Sequence, residues 1–274
     1  MAKLSISRAW EETQQVLAHD GALLASVALA LVLLPQVIFS VVVPPPNLSG
    51  EQPPSWAPIV SIVVAVAGIV GQIAVIRLAL GPTTSVGQAI SHGVRRVLPG
   101  LGAVLIFLIP LVVVMGALFA VLAGPAAMTA LRSGTADPAA GRILLVLFIV
   151  GFLLSVRLQL IMPVATAEAG GPVRILRRSW EVTSGHYLRL LAFLLAILVT
   201  ALVVFLAAQF LGGILARTLF GDAKPLSLSA LVIALITGVV QTAFAVVVAT
   251  LLARIYAQLA AGRAAQAGVP SSGI

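Results

Sequence analysis

Six stretches of this chain, at 21–43, 57–80, 98–123, 142–165, 189–215 and 226–257, are dominated by apolar side chains and contain no Asp or Glu. A helix of about 20 such residues crosses the hydrocarbon of a bilayer. Inside that layer every backbone N–H and C=O must find its partner within the protein, so only helices and closed barrels span it. A barrel needs short alternating strands. Runs such as Leu105-Ile106-Phe107-Leu108-Ile109 and Leu111-Val112-Val113-Val114 do not alternate. The expected fold is therefore all-α and integral to the membrane, with six transmembrane helices. Composition agrees: 9% of residues are charged and 61% hydrophobic, against roughly 25% charged in soluble domains.

Threading six spans from the N-terminus places twelve Lys and Arg residues on the side that holds both termini. Only Arg132, Arg142, Arg217 and Lys224 fall on the other side. Basic residues accumulate on the cytoplasmic side of membrane proteins, so a multi-pass protein of the bacterial inner membrane is expected, with both termini cytoplasmic. The formal net charge of +8 then reads as a topology signal and an attraction to anionic headgroups. It does not read as a nucleic-acid surface, since no basic domain with interleaved aromatics lies outside the spans. The first twenty residues carry Glu11, Glu12 and Asp20 and lack a short apolar core before a small-residue cleavage site, so 21–43 is expected to serve as an uncleaved first span. With no cysteine, disulfides, thiolate metal sites and lipid attachment at Cys are excluded.

The spans carry a longer rhythm. Trp10 lies 67 residues before Arg77 and Ile90 lies 67 before Arg157, while Trp180 lies 74 before Arg254. Around these landmarks the pattern is the same: an amphipathic segment, two apolar stretches, then an apolar residue, Arg, and Leu or Ile. Ile6, Trp10, Thr13 and Leu17 share a helical face; Val86, Ile90, Gly93 and Val97 match them, as do Leu176, Trp180, Thr183 and Tyr187. Three parallel two-span repeats are expected, each opened by a cytoplasmic interfacial amphipathic helix. They cover 1–80, 81–169 and 170–261, and 262–274 forms a flexible cytoplasmic tail. Gly81-Pro82 and Gly170-Gly171-Pro172 punctuate the joints. The outer loop from Pro44 to Pro54 reads as stiff, and 124–141 as rich in small residues and partly ordered. Pro35 and Pro110 are expected to kink their spans.

Arg77, Arg157 and Arg254 occupy equivalent positions and are lipid- or anion-binding candidates. Two readings stand side by side: a shared cytoplasmic ring that holds a phosphate, or three side chains that snorkel or pair with acids of neighbouring interfacial helices. Arg174, Arg177 and Arg178 form a basic helix face suited to anionic headgroups. Trp10, Trp180 and Tyr187 are expected interfacial anchors. Gln36, Gln72, Gln209, Gln241 and Thr250 sit within spans, where they can line a path or bond between helices. His19, His92 and His186 show no ligand spacing, so no metal, cofactor or catalytic residue is expected.

From Arg157-Leu158 the chain continues through Pro163, Glu168, Gly171-Pro172, Arg177-Arg178-Ser179-Trp180, Thr183, Gly185 and Arg189. This resembles the membrane domain of the bacterial glycerophosphoryl diester phosphodiesterase membrane-domain family. Gly87-Gln88-Ala89 and Arg95-Arg96-Val97-Leu98-Pro99 resemble that family's second interfacial segment. In fused members a soluble barrel supplies the catalytic acids and histidines, and no such residues occur here. The resemblance implies a membrane module that accompanies lipid-related enzymes, its own role undefined. The leading reading of the whole sequence is a non-enzymatic lipid-associated scaffold or a partner module for another membrane protein. The alternatives are a transporter or channel-like protein for an anionic or amphipathic small molecule and, behind it, a membrane-embedded lipid enzyme.

Overall fold

The computed structural model describes residues 5–43, 54–81, 85–133, 138–221 and 226–266. The stiff outer loop, Pro82, Lys224 and the last eight residues of the tail lie outside them. The described residues form helices and their connections, with no strand. The order is α1 (Ile6–Ala28), a π-helical turn (Leu29–Leu33), α2 (Leu34–Val42), α3 (Ala57–Leu80), α4 (Val86–Ser133), α5 (Pro138–Ser155), a 3-10 turn (Val156–Leu158), α6 (Ile161–Ala167), α7 (Pro172–Thr183), α8 (Tyr187–Phe220) and α9 (Leu228–Gln266). Six helical stretches are long and apolar enough to cross a membrane: Ile6–Val42, Ala57–Leu80, Val86–Pro125, Pro138–Ala167, Tyr187–Phe220 and Leu228–Arg263. Their outward faces are apolar, as Val121 (81% exposed) and Phe210 (69%) show. Such surfaces are stable against lipid and not against water.

Two of the amphipathic segments continue into the span that follows. The first span holds 37 residues and the third 40, which at 1.5 Å per residue is about 55–60 Å, well beyond a hydrocarbon layer of about 30 Å. Only α7 stands apart. It ends at Ser184 in extended conformation, and Gly185 follows with φ +89°, a region that L side chains adopt only at a cost. The positions matching Gly185 hold Gln15 and Arg95, both good helix formers, so the first two segments have nothing to stop them.

Pro35 acts one turn upstream. It lacks an N–H and its ring crowds the preceding turn, and that turn widens so that the Leu34 N–H reaches back to the Leu29 carbonyl. Within α4 the backbone stays helical at Pro99 and Pro110 and leaves the helical region only at Gly124 (φ 73°, ψ 176°), just before Pro125. The backbone break in this helix thus falls at Gly124-Pro125, where glycine tolerates the positive φ that other residues resist.

Residues 1–98 and 193–274 form one compact unit, and 99–192 another. In the first, α9 packs along α1, α2 and α3. Small residues permit the close approach: a Cβ on Gly238 would lie 2.8 Å from Leu33 Cδ1, and one on Gly71 3.0 Å from Leu31 Cβ. A Cβ on Gly93 would meet the Val70 carbonyl oxygen at 2.7 Å, so the start of α4 rests directly on α3. In the second unit, Phe119, Ala127 and Ala140 are buried together with Ala123, Ile143 and Leu147 packed around them.

Candidate functional site

Arg77, Arg157 and Arg254, each preceded by an apolar residue, meet three different environments. Arg157 lies in the 3-10 turn that interrupts the fourth span. Tightening from α to 3-10 leaves carbonyls of the preceding turn without their usual donors, and α7 with the start of α8 supplies replacements. Tyr187 Oη donates to the Leu153 carbonyl at 2.8 Å, and Ser179 Oγ donates to the Arg157 carbonyl at 2.7 Å. The Arg157 guanidinium stands 4.5 Å above the Trp180 ring and 5.7 Å from the Tyr187 ring. Its Nη1 donates to the Trp180 carbonyl at 3.4 Å. Two of the expected anchors, Trp180 and Tyr187, thus form an aromatic cradle for an expected anion ligand.

On α7, Arg178 Nε donates to Glu168 Oε1 at 2.8 Å, and Arg177 Nε donates to Glu181 Oε1 at 3.1 Å. Arg178 Nη1 also lies 3.6 Å from Glu181 Oε2. Two of the three basic residues expected to face headgroups therefore already hold carboxylates. Arg174 is exposed, and its stem lies over Gly170, where a Cβ would be 2.9 Å from Arg174 Cδ. Trp10 is 44% exposed, on a helix whose buried face is Ala9, Thr13 and Val16.

Arg254 sits between Ala253 and Ile255, both fully buried, and its Nε is buried without a hydrogen-bond partner among the described residues. One turn on, the Gln258 amide caps the start of α1. With its nitrogen toward the Ser5 carbonyl (3.2 Å) and its oxygen toward the Ala9 N–H (3.2 Å), both polar atoms are satisfied.

Arg77 lies in the last turn of α3 after the fully buried Ile76. With Gly87, Gln88, Ser91, His92 and Arg95 it lines a cavity of about 400 Å³. The contact of Gly93 with Val70 sets the spacing that puts this face of α4 opposite Arg77. Gln88, Ser91, His92 and Arg95 follow at intervals of three and four, one helical face. The amphipathic pattern of this segment puts Gln88, Ser91 and His92 on its polar side but does not say what they face. A usable signal existed: the positions matching Trp180 and Tyr187 are Ile90 and Val97, so no aromatic cradle can form around Arg77.

The other polar residues of the spans meet different surroundings. Thr250 is fully buried and donates to the Val246 carbonyl of its own helix at 2.9 Å, and Gln209 and Gln241 are exposed. Gln36 and Ser61 line a smaller cavity of about 230 Å³ beside the π-helical turn, among Val32, Phe39, Val64, Ala65 and Gly68. No group of three His, Asp or Glu residues gathers as metal ligands would among the described residues.

Six long apolar helices with outward apolar faces define a multi-pass helical membrane protein. Within that class the chain belongs to the DUF7847 family, a domain of unknown function whose family model matches residues 4–259. No curated protein and no solved structure matches it.

Proposed function

We propose that the protein is a non-enzymatic, lipid-associated scaffold of the bacterial inner membrane, with both termini and the arginine-bearing helix ends in the cytoplasm. The observation that carries this reading is the twelve-to-four asymmetry of Lys and Arg on a bundle whose outward surface is apolar. A basic face of this kind draws anionic headgroups. The absence of Asp and Glu from all six apolar stretches weighs against ion-coupled transport and acid–base chemistry there. The resemblance to the glycerophosphoryl diester phosphodiesterase membrane domain supports a module that accompanies lipid-related proteins.

Three parallel modules account for the local regularities. Ala9, Ala89 and Ser179 occupy equivalent positions, and each is fully buried. So are Ile76, Val156 and Ala253, which precede the three arginines. Ser5 and Ser85 cap α1 and α4 by accepting from the N–H three residues on, each at 3.3 Å. The arginine end of the second span meets the segment opening α4, that of the fourth meets α7, and that of the sixth meets α1. Each module thus contacts the opening helix of the next, and the last contacts the first.

Membrane-impermeant labelling of single cysteines tests the topology. Positions near Arg95, Arg177 and Arg263 are expected to react only from the cytoplasm, and those near Glu51, Asp137 and Asp222 only from outside. Cytoplasmic reaction of position 137 overturns the six-span arrangement. The runner-up, passage of a small amphipathic molecule, is favoured by the Gln36–Ser61 cavity beside the widened turn, since π-turns often mark functional sites.

A further inference from the structure

We infer that the cavity between Arg77 and the polar face of α4 is a binding site for a phosphate group. This deepens the lipid-associated reading and rests on it for the membrane setting.

The cavity brings two guanidiniums, Arg77 and Arg95, around one space of about 400 Å³, together with the His92 imidazole, the Ser91 hydroxyl and the Gln88 amide. Neither arginine takes part in an ion pair among the described residues, in contrast to Arg8, Arg177 and Arg178. Like charges facing one cavity repel, and half-burial of Arg77 weakens the screening that water provides. An anion between them reverses the sign of that interaction. The matching arginine of the fourth span, in contrast, has its charge answered by Trp180 and Tyr187. Arg77 has no such cradle and is available to a ligand.

The chemistry of the lining selects among anions. Guanidiniums offer planar pairs of N–H donors that match phosphate oxygens, while Ser91 and Gln88 add neutral donors. The site also lies against the first turn of α4, whose partial positive charge favours an anion. Gly87, in that turn, has no atom of the described residues within 4 Å of where a Cβ would stand, so a side chain added there meets open space. The volume admits more than a bare ion, and the site lies at a helix end of the spans where phospholipid headgroups reside. The phosphate can come from a lipid headgroup or from a free phosphate compound.

Native mass spectrometry of the full chain separates these sources. The protein is equilibrated with vesicles of phosphatidylcholine alone or of phosphatidylcholine with phosphatidylglycerol, and retained lipid is counted. In a parallel arm, inorganic phosphate is titrated onto the protein in phosphatidylcholine nanodiscs while the thermal midpoint is followed. Preferential retention of phosphatidylglycerol is expected, reduced about tenfold in Arg77→Gln and in Arg95→Gln, the loss typical of one charge-assisted contact. Arg96→Gln, adjacent on the chain but outside the cavity lining, is expected to retain lipid as the native chain does. Gly87→Glu supplies a tethered carboxylate in open space and is expected to abolish the preference without loss of thermal stability. A phosphate-induced rise in midpoint that vanishes in the same variants, with no preference for phosphatidylglycerol, assigns the site to a soluble phosphate. Absence of both lipid preference and phosphate response overturns the proposal. So does a lipid preference that persists equally in Arg77→Gln, Arg95→Gln and Gly87→Glu. The cysteine-labelling result is read independently: reversed labelling removes the cytoplasmic assignment and leaves the binding outcomes interpretable.

Discussion

Arg77 and Arg157 stand in the same short motif, an apolar residue before and Leu after, yet their side chains do different work. Arg157 holds α7 and the start of α8 to the fourth span through two rings and a carbonyl. Arg157→Gln is therefore expected to lower unfolding stability in detergent by about 1–2 kcal/mol, the sum of an exposed cation–π contact and one hydrogen bond. Arg157→Lys keeps the charge but loses the planar stack and is expected to recover only part of this. Arg77→Gln is expected to leave thermal stability unchanged or slightly raised, since it removes a charge facing Arg95. Comparing the two variants' melting curves checks the division of roles. Ser179→Ala deletes the donor to the Arg157 carbonyl and is expected to cost about 0.5–1.5 kcal/mol.

At the scale of helices, position is set by where backbones may touch. Gly93 permits α4 to rest on the Val70 carbonyl, and neither partner there can swing aside as a flexible side chain would. Gly93→Ala is expected to destabilise the protein by about 1–3 kcal/mol and to weaken anionic lipid retention as well, because the shift moves the α4 face away from Arg77. Denaturant titration with parallel lipid counting checks both effects. The π-helical turn has a separate cause: Pro35→Ala restores the missing N–H, so the turn at Leu29–Leu33 is expected to close to an ordinary α-helix. Slower amide hydrogen exchange over α1 and α2 would show it. The stretch that carries the family resemblance is itself a local assembly. Arg157 meets Trp180, Ser179 bonds the Arg157 carbonyl, Glu168 pairs with Arg178, and Gly185 releases the chain into α8. Its residue types are those this small structure needs.

For the whole molecule, the apolar outer surface is the controlling fact. Of the most apolar part of Val86–Pro125, 6% is buried within the described protein, an apolar surface suited to lipid and not to water. Val112 is 60% exposed, and Val112→Arg is expected to cost about 2.5–3.5 kcal/mol of insertion free energy. A reduced membrane-inserted fraction on expression checks this, whereas Arg at the exposed Val173 of α7 is expected to be tolerated.

The number of spans and their apolar cores were legible in the sequence, because membrane insertion depends on the length and apolarity of a continuous segment and on little else; the helices of the first and third begin well before those cores. The Ser caps and the Gly185 break, which the structure adds, are local, set by backbone conformation within a few residues. The shared setting of Arg77, Arg157 and Arg254, an apolar residue before and Leu or Ile after, is a property of the sequence, but their fates were not legible there. Whether an arginine is cradled or left facing a cavity depends on residues far along the chain: Trp180 and Tyr187 for Arg157, His92 and Arg95 for Arg77. Those residues reach it only when one helix docks on another. The same holds for the buried faces: periodicity grouped Trp10 with Thr13, whereas docking buried Ala9, Thr13 and Val16 and left Trp10 outside. Helical periodicity defines a face to within a residue or so, and close packing against a particular neighbour selects which small side chain comes to lie at its centre.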